Sequence, residues 1–233
     1  MKKLALSIVS ISALLTGAAS AADLAARPYT KAPMAAAVYN WTGFYIGAQV
    51  GGAFGDVDAV SGPFPGVINQ AYSYDFTGVV GGGHIGYNWQ MSPNWVFGFE
   101  GDGEATSVRN SGIGTLGFFH ETRLNWLASA RARLGYAAGN TLFYVTGGAA
   151  FGEVEVTKAT APGVVPFATY TDTLTGWTVG GGVEHMFAPN WTGRLEYRYT
   201  DLGETGFSSV LANSQDYATV KFHAVRAGIS YKF

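Results

Sequence analysis

Apolar and polar residues alternate along most of this chain with a period of two. In the stretch WTGFYIGAQVGGAFG, Phe44, Ile46 and Val50 share one parity, whereas Tyr45 and Gln49 share the other. This period is that of a β-strand, in which successive side chains point to opposite faces. The same pattern predicts seven further strands, which makes eight in all. Their approximate spans are residues 76–90, 95–104, 121–137, 142–156, 173–187, 191–201 and 218–233.

The connections between these strands fall into two classes that alternate along the chain. Three are tight turns, at residues 92–94, 138–140 and 188–190, and they contain Pro, Gly and Asn. Four are long and rich in Gly, Ser and Thr, at approximately residues 55–75, 105–120, 157–172 and 202–217. Strict alternation puts the long loops at one end of a sheet and the turns at the other, which is typical of bacterial outer-membrane barrels.

Composition narrows the class of protein further. Only 13% of residues are charged, 33 are glycine, and the mean hydropathy is barely positive at +0.12. A helical membrane protein needs runs of about 20 apolar residues, and beyond the first segment the sequence has none. The pattern therefore predicts an all-β fold: an eight-stranded antiparallel transmembrane β-barrel with short periplasmic turns and four long extracellular loops. A secreted β-sandwich also alternates, but both of its outward faces are polar.

The first 40 residues have a different character from the rest. Lys2 and Lys3 precede an apolar run that closes on Ala19-Ser20-Ala21, which predicts a secretory signal peptide over residues 1–21 and export through the Sec pathway. Residues 22–40 are alanine-rich without a usable period and are expected to form a flexible periplasmic leader. The barrel is predicted over residues 41–233. There is no cysteine, and the net charge of −2 argues against a nucleic-acid partner.

Charged residues of the predicted strands share one parity, which we assign to the interior. An outward Arg or Lys would cost roughly 2 to 4 kcal/mol at the bilayer midplane, whereas charges of both signs inside a narrow barrel can neutralise each other. The predicted lumen charges are five carboxylates and seven cations: Glu100, Asp102, Glu104, Glu184, Glu196, Arg123, Arg131, Arg133, Arg194, Arg198, Arg226 and Lys232.

Aromatic residues concentrate near both ends of the predicted strands, as in the aromatic belts of membrane proteins. The girdle predicted near the tight turns includes Tyr87, Trp89, Trp95, Tyr136 and Trp191. The girdle predicted near the long loops includes Phe54, Phe76, Phe151, Trp177 and Tyr199.

Four stretches carry a resemblance to a known family. They are WTGFYIG, YVTGGAAFG, GWTVGGGVEHMFAPNWTGRLEYRYTDLG and VRAGISYKF. With them the chain resembles the small outer-membrane β-barrel (porin-family) proteins of the alphaproteobacterial Omp25/Omp31 type, which are related to the OmpA transmembrane domain. The resemblance implies a surface-exposed, often immunogenic protein of the cell outer membrane. It also implies that Ile229, Tyr231 and Phe233 form the signal read by the barrel-assembly machinery.

The function expected is a structural and surface role in the cell envelope, with a largely plugged polar lumen. A small porin for ions or solutes is the first alternative, and a surface ligand binder or adhesin is the second. Some relatives bind haem, for which His120 and Tyr170 would be the candidates here. The expected partners are outer-membrane lipid and lipopolysaccharide, periplasmic chaperones and the assembly machinery, and a monomer is favoured.

No catalytic, cofactor-binding or metal site is predicted, and the chain is expected not to be an enzyme. Residues 81–86 fit the dinucleotide-binding pattern G-x-G-x-x-G, but the period of two continues through them, whereas that site requires a helix to begin there. The four histidines are dispersed over different strands and loops, and no pair has the spacing of zinc ligands.

Overall fold

The computed structural model describes residues 39–61, 70–113, 119–165, 168–209 and 214–233. No helix in these ranges is long and apolar enough to cross a membrane. The described residues form nine strands: β1 (Gly43–Ser61), β2 (Gln70–Gln90), β3 (Trp95–Thr106), β4 (Arg109–Ile113), β5 (Phe119–Ala138), β6 (Thr141–Ala159), β7 (Ala168–Ala188), β8 (Trp191–Ser209) and β9 (Ser214–Lys232).

The strands form one closed antiparallel sheet. Its order is β3-β2-β1-β9-β8-β7-β6-β5-β4, and a further pairing of β3 with β5 closes the ring. Both β3 and β4 pair with β5, and only Ser107 and Val108 separate them, so together they occupy one of eight positions around the barrel. The predicted eight-stranded antiparallel barrel is thereby confirmed.

The first and last strands meet at the seam of the barrel. Their register runs from Tyr45 opposite Lys232 to Ser61 opposite Asp216. The backbone N–H of Phe233 extends the ladder by donating to the Phe44 carbonyl at 2.9 Å. Closure leaves no strand edge along this seam, which is what a sheet in lipid requires, because no water is there to bond an unpaired backbone group.

Three short connections lie at one end of the barrel, which we call the turn end: residues 91–94, 139–140 and 189–190. At the opposite loop end the strands run further than the sequence predicted. β1 continues to Ser61 and β2 starts at Gln70, so most of the predicted long loop is paired hairpin. Backbone pairing with a neighbouring strand needs no apolar alternation, and for that reason alternation alone underestimated these lengths.

The outward face carries an apolar band bounded by two aromatic rows. On adjacent strands one row contains Phe44, Tyr231 and Trp191, and the other contains Phe54 and His223. Phe44 and Phe54 lie ten positions apart on β1, which is roughly 25 Å along the axis for a rise of about 3.3 Å and a tilt near 40°. That height matches the apolar band of outer-membrane barrels.

Candidate functional site: the lumen of the barrel

Ten charged side chains of the described strands are buried inside the barrel, and we call them the charge network. They are on the inward parity of β3, β5, β7, β8 and β9, and none is more than 8% exposed. Five are carboxylates and five are guanidinium groups, so their formal charges cancel. The members are Glu100, Asp102, Glu104, Glu184, Glu196, Arg131, Arg133, Arg194, Arg198 and Arg226.

Arg131 lies at the centre of the network. Its Nη2 donates to Glu100 and, at 3.0 Å, to Asp102 Oδ1. Its Nη1 donates to Glu196 Oε1, also at 3.0 Å. These three carboxylates come from two strands that face each other across the lumen, β3 and β8. One guanidinium therefore ties opposite walls of the barrel together, with hydrogen bonds that are stronger for being charge-assisted.

Two further arginines of β8 neutralise the same carboxylates. Arg194 Nη1 donates to Glu100 Oε2 at 2.6 Å. Arg198 donates to Glu196 Oε1 through Nε at 2.9 Å and Nη2 at 2.7 Å, and its Nη1 lies 3.1 Å from Asp102 Oδ1. Each of these three carboxylates thus meets at least two cations, and the three arginines balance the three carboxylates at the centre of the network.

Toward the turn end the network continues through Arg133. Its Nη2 donates to Glu184, and its guanidinium carbon lies 3.8 Å from the centroid of the Tyr144 ring. Glu184 also accepts from the Thr192 hydroxyl at 2.7 Å. The Tyr45 hydroxyl donates to Glu100 at 2.8 Å, which connects β1 to the centre.

Toward the loop end the network closes on a bidentate pair. Arg226 Nε and Nη2 each donate to Glu104 at 2.8 Å. Gln49 Nε2 donates to Glu104 Oε1 at 2.7 Å, and Gln49 Oε1 accepts from Arg194. A void of about 10 Å³ lies beside these residues and is also lined by Asp102 and Arg198. It has room for about one water molecule.

Apolar side chains fill the lumen on both sides of the charge network. The loop-end apolar cluster consists of Ala53, Phe76, Val80, Val108, Leu124, Leu127, Ala150, Val154, Leu174, Leu202, Val220, Phe222 and Ala224. The turn-end apolar cluster consists of Trp41, Val96, Ala137, Leu142 and Met186. The described part of the lumen therefore contains three layers, of which the charged one is in the middle.

Eleven of the twelve predicted lumen charges lie on the inward face. Ten form the charge network, and Lys232 is partly buried at the turn end, where its Nζ donates to the Thr42 carbonyl at 3.0 Å.

Arg123 was predicted wrongly. A bulge between Leu124 and Trp126 adds one residue to β5, and this reverses the parity of everything before it. Leu124 is therefore buried in the loop-end apolar cluster, while 48% of the Arg123 side chain is exposed. Arg123 pairs on the outside with Glu121 at 2.9 Å, and that hydrogen bond raises the pKa of its guanidinium.

The predicted turn-end girdle residues point outward. Trp89, Trp95, Tyr136 and Trp191 are between 42% and 48% exposed, and Tyr87 is half-buried against Trp89 with ring centroids 4.5 Å apart.

At the loop end, Phe54 and Trp177 are exposed and Phe151 and Tyr199 are half-buried on the outward parity. Phe76 is not a girdle residue. It shares the inward parity of Val80 and His84 and is buried in the loop-end apolar cluster.

Of the residues predicted as an assembly signal, Ile229 and Tyr231 lie on the outward face of β9 and Phe233 follows its last residue. Ile229 and Phe233 are exposed, and Tyr231 packs edge-on against Trp191 with ring centroids 5.2 Å apart. Residues 81–86, which fit the dinucleotide pattern, lie within β2.

The histidines whose side chains the structure describes, His84, His185 and His223, lie apart from one another. His84 is buried beside Ser230 at 2.8 Å, and His223 stacks on Phe54 on the outside. Tyr170 is exposed on β7. The side chain of His120 lies outside the described residues, as does the predicted signal peptide. No group of three or more potential metal ligands occurs in the described ranges.

Sequence reasoning missed the two apolar layers. Alternation separates two faces only where one is apolar and the other polar, and near the loop end both faces of β9 carry aromatic rings, Phe222 inside and His223 outside. Trp41 lies before β1, where no period guided the prediction. For Leu202 and Phe222, the signal available was their parity, which continues without a break from Arg198 on β8 and Arg226 on β9.

The comparisons with known proteins agree with this architecture. The family described as "Outer membrane protein beta-barrel domain" matches residues 11–233. The chain belongs to this family of outer-membrane β-barrel proteins. It is therefore a protein of the outer membrane, its turn end faces the periplasm, and its loop end faces the outside.

Two bacterial outer-membrane proteins and one solved structure are similar to this chain over most of their length. The 31 kDa outer-membrane immunogenic protein of Brucella melitensis is 39% identical over 237 residues, which cover 97% of this chain and 98% of that protein. The 22 kDa outer membrane protein of Rhizobium leguminosarum is 32% identical, over 83% of this chain and 79% of that one. The crystal structure of OprG from Pseudomonas aeruginosa has the same fold, with a TM-score of 0.50 and 12% identity over 84% of this chain and 98% of that one.

Proposed function

We propose that this protein has a structural and surface role in the cell envelope, and that its lumen is closed rather than conducting. The observation that carries the proposal is the balance of the charge network. Five guanidinium groups meet five carboxylates. The void beside four of them, Asp102, Glu104, Arg198 and Arg226, has room for about one water molecule.

The closed state is favoured by the cost of separating these charges. A buried ion that loses its partner forfeits roughly 3 to 5 kcal/mol. Opening a path along the lumen would have to displace Arg131 from Glu100, Asp102 and Glu196 together. A conducting state would also have to move the apolar clusters that flank the network.

The outward parts of the molecule support a surface role. Paired strands continue past the outer aromatic row and away from the membrane, for example to Ser61 on β1 and Ser209 on β8. Relatives bear the name outer-membrane immunogenic protein. By that likeness, we propose that these outward parts are surface antigens in this protein too.

The same proposal assigns the remaining partners. Ile229 and Tyr231 on the outward face of β9, with Phe233 after them, would be recognised by the barrel-assembly machinery after periplasmic chaperones deliver the chain. The aromatic rows would lie at the headgroups, with lipopolysaccharide outside. The protein would act as a monomer. It would also act without a catalytic site, since the described histidines lie apart from one another.

Loss of the chain should weaken the envelope without changing the uptake of small solutes. The test is a deletion strain, complemented by the wild-type chain, in which sensitivity to detergent with a chelator and surface binding of antibodies to whole cells are measured. In parallel, liposomes that contain the purified protein should not swell in small sugars. An intact envelope in the deletion strain would contradict the structural role, and swelling would favour the small porin.

A further inference from the structure

The segment just before β1 crosses the periplasmic mouth of the barrel. Trp41 is 1% exposed and packs in the turn-end apolar cluster against Val96, Ala137, Leu142 and Met186. Those four residues come from β3, β5, β6 and β7, whereas the chain that carries Trp41 enters β1. The indole therefore reaches from one wall across to the other.

Polar contacts hold this segment in place from three sides. The indole Nε1 of Trp41 donates to the Gly139 carbonyl at 3.3 Å, in the turn between β5 and β6. The backbone N–H of Trp41 donates to Gln90 Oε1 at 2.9 Å, and the N–H of Gln90 donates to Thr42 Oγ1 at 2.9 Å. Lys232 Nζ donates to the Thr42 carbonyl at 3.0 Å. The contacts join both neighbours of β1, which are β2 and β9, to the opposite wall.

Gly43 lets the chain turn from the mouth into the wall. Its φ is 145°, a region that favours glycine, and a Cβ on it would lie 2.8 Å from the Phe233 carbonyl oxygen. The turn thus separates a segment that lies across the lumen from a strand that lines it, and the strand itself is paired on both sides.

We propose that Trp41, Thr42 and Gly43 form a periplasmic strap, in which Trp41 seals the inner mouth, Thr42 fastens it to β2 and β9, and Gly43 is the hinge. The strap excludes periplasmic water and small solutes from the polar residues behind it. The strap proposal rests on the proposed closed lumen. It deepens that proposal by assigning the inner seal of the lumen to the Trp41 side chain. The buried polar residue next to the hinge is Asn88, which pairs with Gly43 and is 2% exposed.

The absence of native cysteine makes the seal measurable. Asn88→Cys places a thiol behind the strap, and Thr178→Cys places one in an equally buried position of the loop-side half of the barrel. Each refolded variant, with Trp41 or with Trp41→Ala, is treated with a small water-soluble methanethiosulfonate. We expect the thiol at position 88 to react slowly when Trp41 is present and about tenfold faster or more without it, because local opening then costs less. The thiol at position 178 should react slowly both with Trp41 and with Trp41→Ala.

Equal rates at position 88 with and without Trp41, fast or slow, would overturn the strap. So would equal acceleration at position 178, since that would mean a general loosening of the barrel. Heat-modifiable migration on a detergent gel shows whether each variant has folded.

A second measurement keeps Trp41 and therefore does not depend on its replacement. The chain has six tryptophans, and a variant that retains only Trp41 is compared with one that retains only Trp191, which is exposed on the outward face. Trp41 fluorescence should resist both acrylamide and brominated lipid, whereas brominated lipid should quench Trp191. Strong quenching of Trp41 by acrylamide would contradict the seal.

These readouts separate the strap from the proposed function. If the wild-type protein admits sugars into liposomes but the reactivity at position 88 still depends on Trp41, the strap stands and the closed-lumen proposal fails. If the wild-type protein is impermeable but the thiol at position 88 reacts at the same rate with and without Trp41, the closed-lumen proposal stands and the strap fails.

Discussion

The charge network and the loop-end apolar cluster fill neighbouring parts of one lumen by different physical means. In the charge network each group is held by directional bonds, and Arg131 alone meets three carboxylates. In the loop-end apolar cluster, Leu202, Phe222 and their neighbours are held by non-directional contacts, and a void of about 20 Å³ borders the cluster. Removing one member of the charge network leaves a buried charge without its partner, whereas the side chains of the apolar cluster can shift into a vacated space. The difference indicates that the charged layer specifies the cross-section of the barrel and the apolar layer fills it.

The largest effect should come from removing the central guanidinium. Arg131→Ala leaves three buried carboxylates short of a cation, and we expect a loss of about 3 to 5 kcal/mol in the free energy of unfolding. Urea titration in lipid vesicles, followed by tryptophan fluorescence, measures it. The control is Arg123→Ala, which removes an exposed pair with Glu121 and should leave the stability nearly unchanged, because water screens that pair. Similar losses for the two variants would remove the distinction between an inner and an outer arginine.

A somewhat smaller loss should follow a cavity in the apolar layer. Leu202 is 1% exposed in the loop-end apolar cluster, and Leu202→Ala should cost roughly 2 to 5 kcal/mol, less where the neighbours collapse into the space. Leu202→Met conserves volume and should cost less than about 1.5 kcal/mol. If Leu202→Met lowered the free energy of unfolding as much as Leu202→Ala, the apolar layer would be unable to adjust its side chains. The contrast with the charge network would then be lost.

Two glycines of β6 allow the layers to be compared by adding a methyl group. At Gly148, beside the charge network, a Cβ would collide with the Ala130 carbonyl oxygen and lie 2.7 Å from the Arg131 Cα. At Gly152, beside the apolar layer, the nearest atoms are side-chain tips of Leu202, Leu127 and Leu124 at 2.9 to 3.3 Å. Gly148→Ala should destabilise by about 1 to 3 kcal/mol, and Gly152→Ala should cost distinctly less because side chains give way. Unfolding titrations that rank them in the opposite order would contradict the comparison.

The smallest net effect should come from replacing one ion pair of the charge network, Arg226 with Glu104, by apolar side chains. Arg226→Met alone leaves Glu104 buried without its bidentate partner. Combined with Glu104→Leu, it replaces the pair by apolar groups but leaves Gln49 Nε2 without its acceptor, so the double variant should recover much of the loss and lie within about 1 to 3 kcal/mol of wild type. A double variant as unstable as the single would show that the pair has a requirement beyond neutralisation.

The sequence predicted the charged layer better than it predicted the rest of the lumen. Glu100, Asp102 and Glu104 could be placed inside because a charge facing lipid is costly, which fixes the parity of a whole strand. The same rule failed at Arg123, since one inserted residue at the bulge reverses parity and leaves no mark in the local pattern. A charge near the loop end carries less information because it can lie beyond the lipid.

The apolar parts of the lumen could not be read in the same way. Phe76 was expected outside because aromatic rings near a strand end commonly lie at the membrane surface, and an inward ring gives the same local signal. Trp41 precedes the first periodic segment, and its contacts with Leu142 and Met186 join residues that are far apart in the chain. Such contacts follow from the closure of the barrel and not from any local pattern.

The most direct test of the closed lumen is a planar bilayer recording of the purified wild-type protein, made in symmetric salt at several concentrations and at both polarities. The Arg131→Ala variant, checked for folding by heat-modifiable migration, serves as the comparison. The wild-type protein should be silent, because the five guanidinium groups and five carboxylates of the charge network fill the middle of the lumen and leave no path for a hydrated ion. Steady wild-type channels whose conductance rises with salt concentration would contradict it.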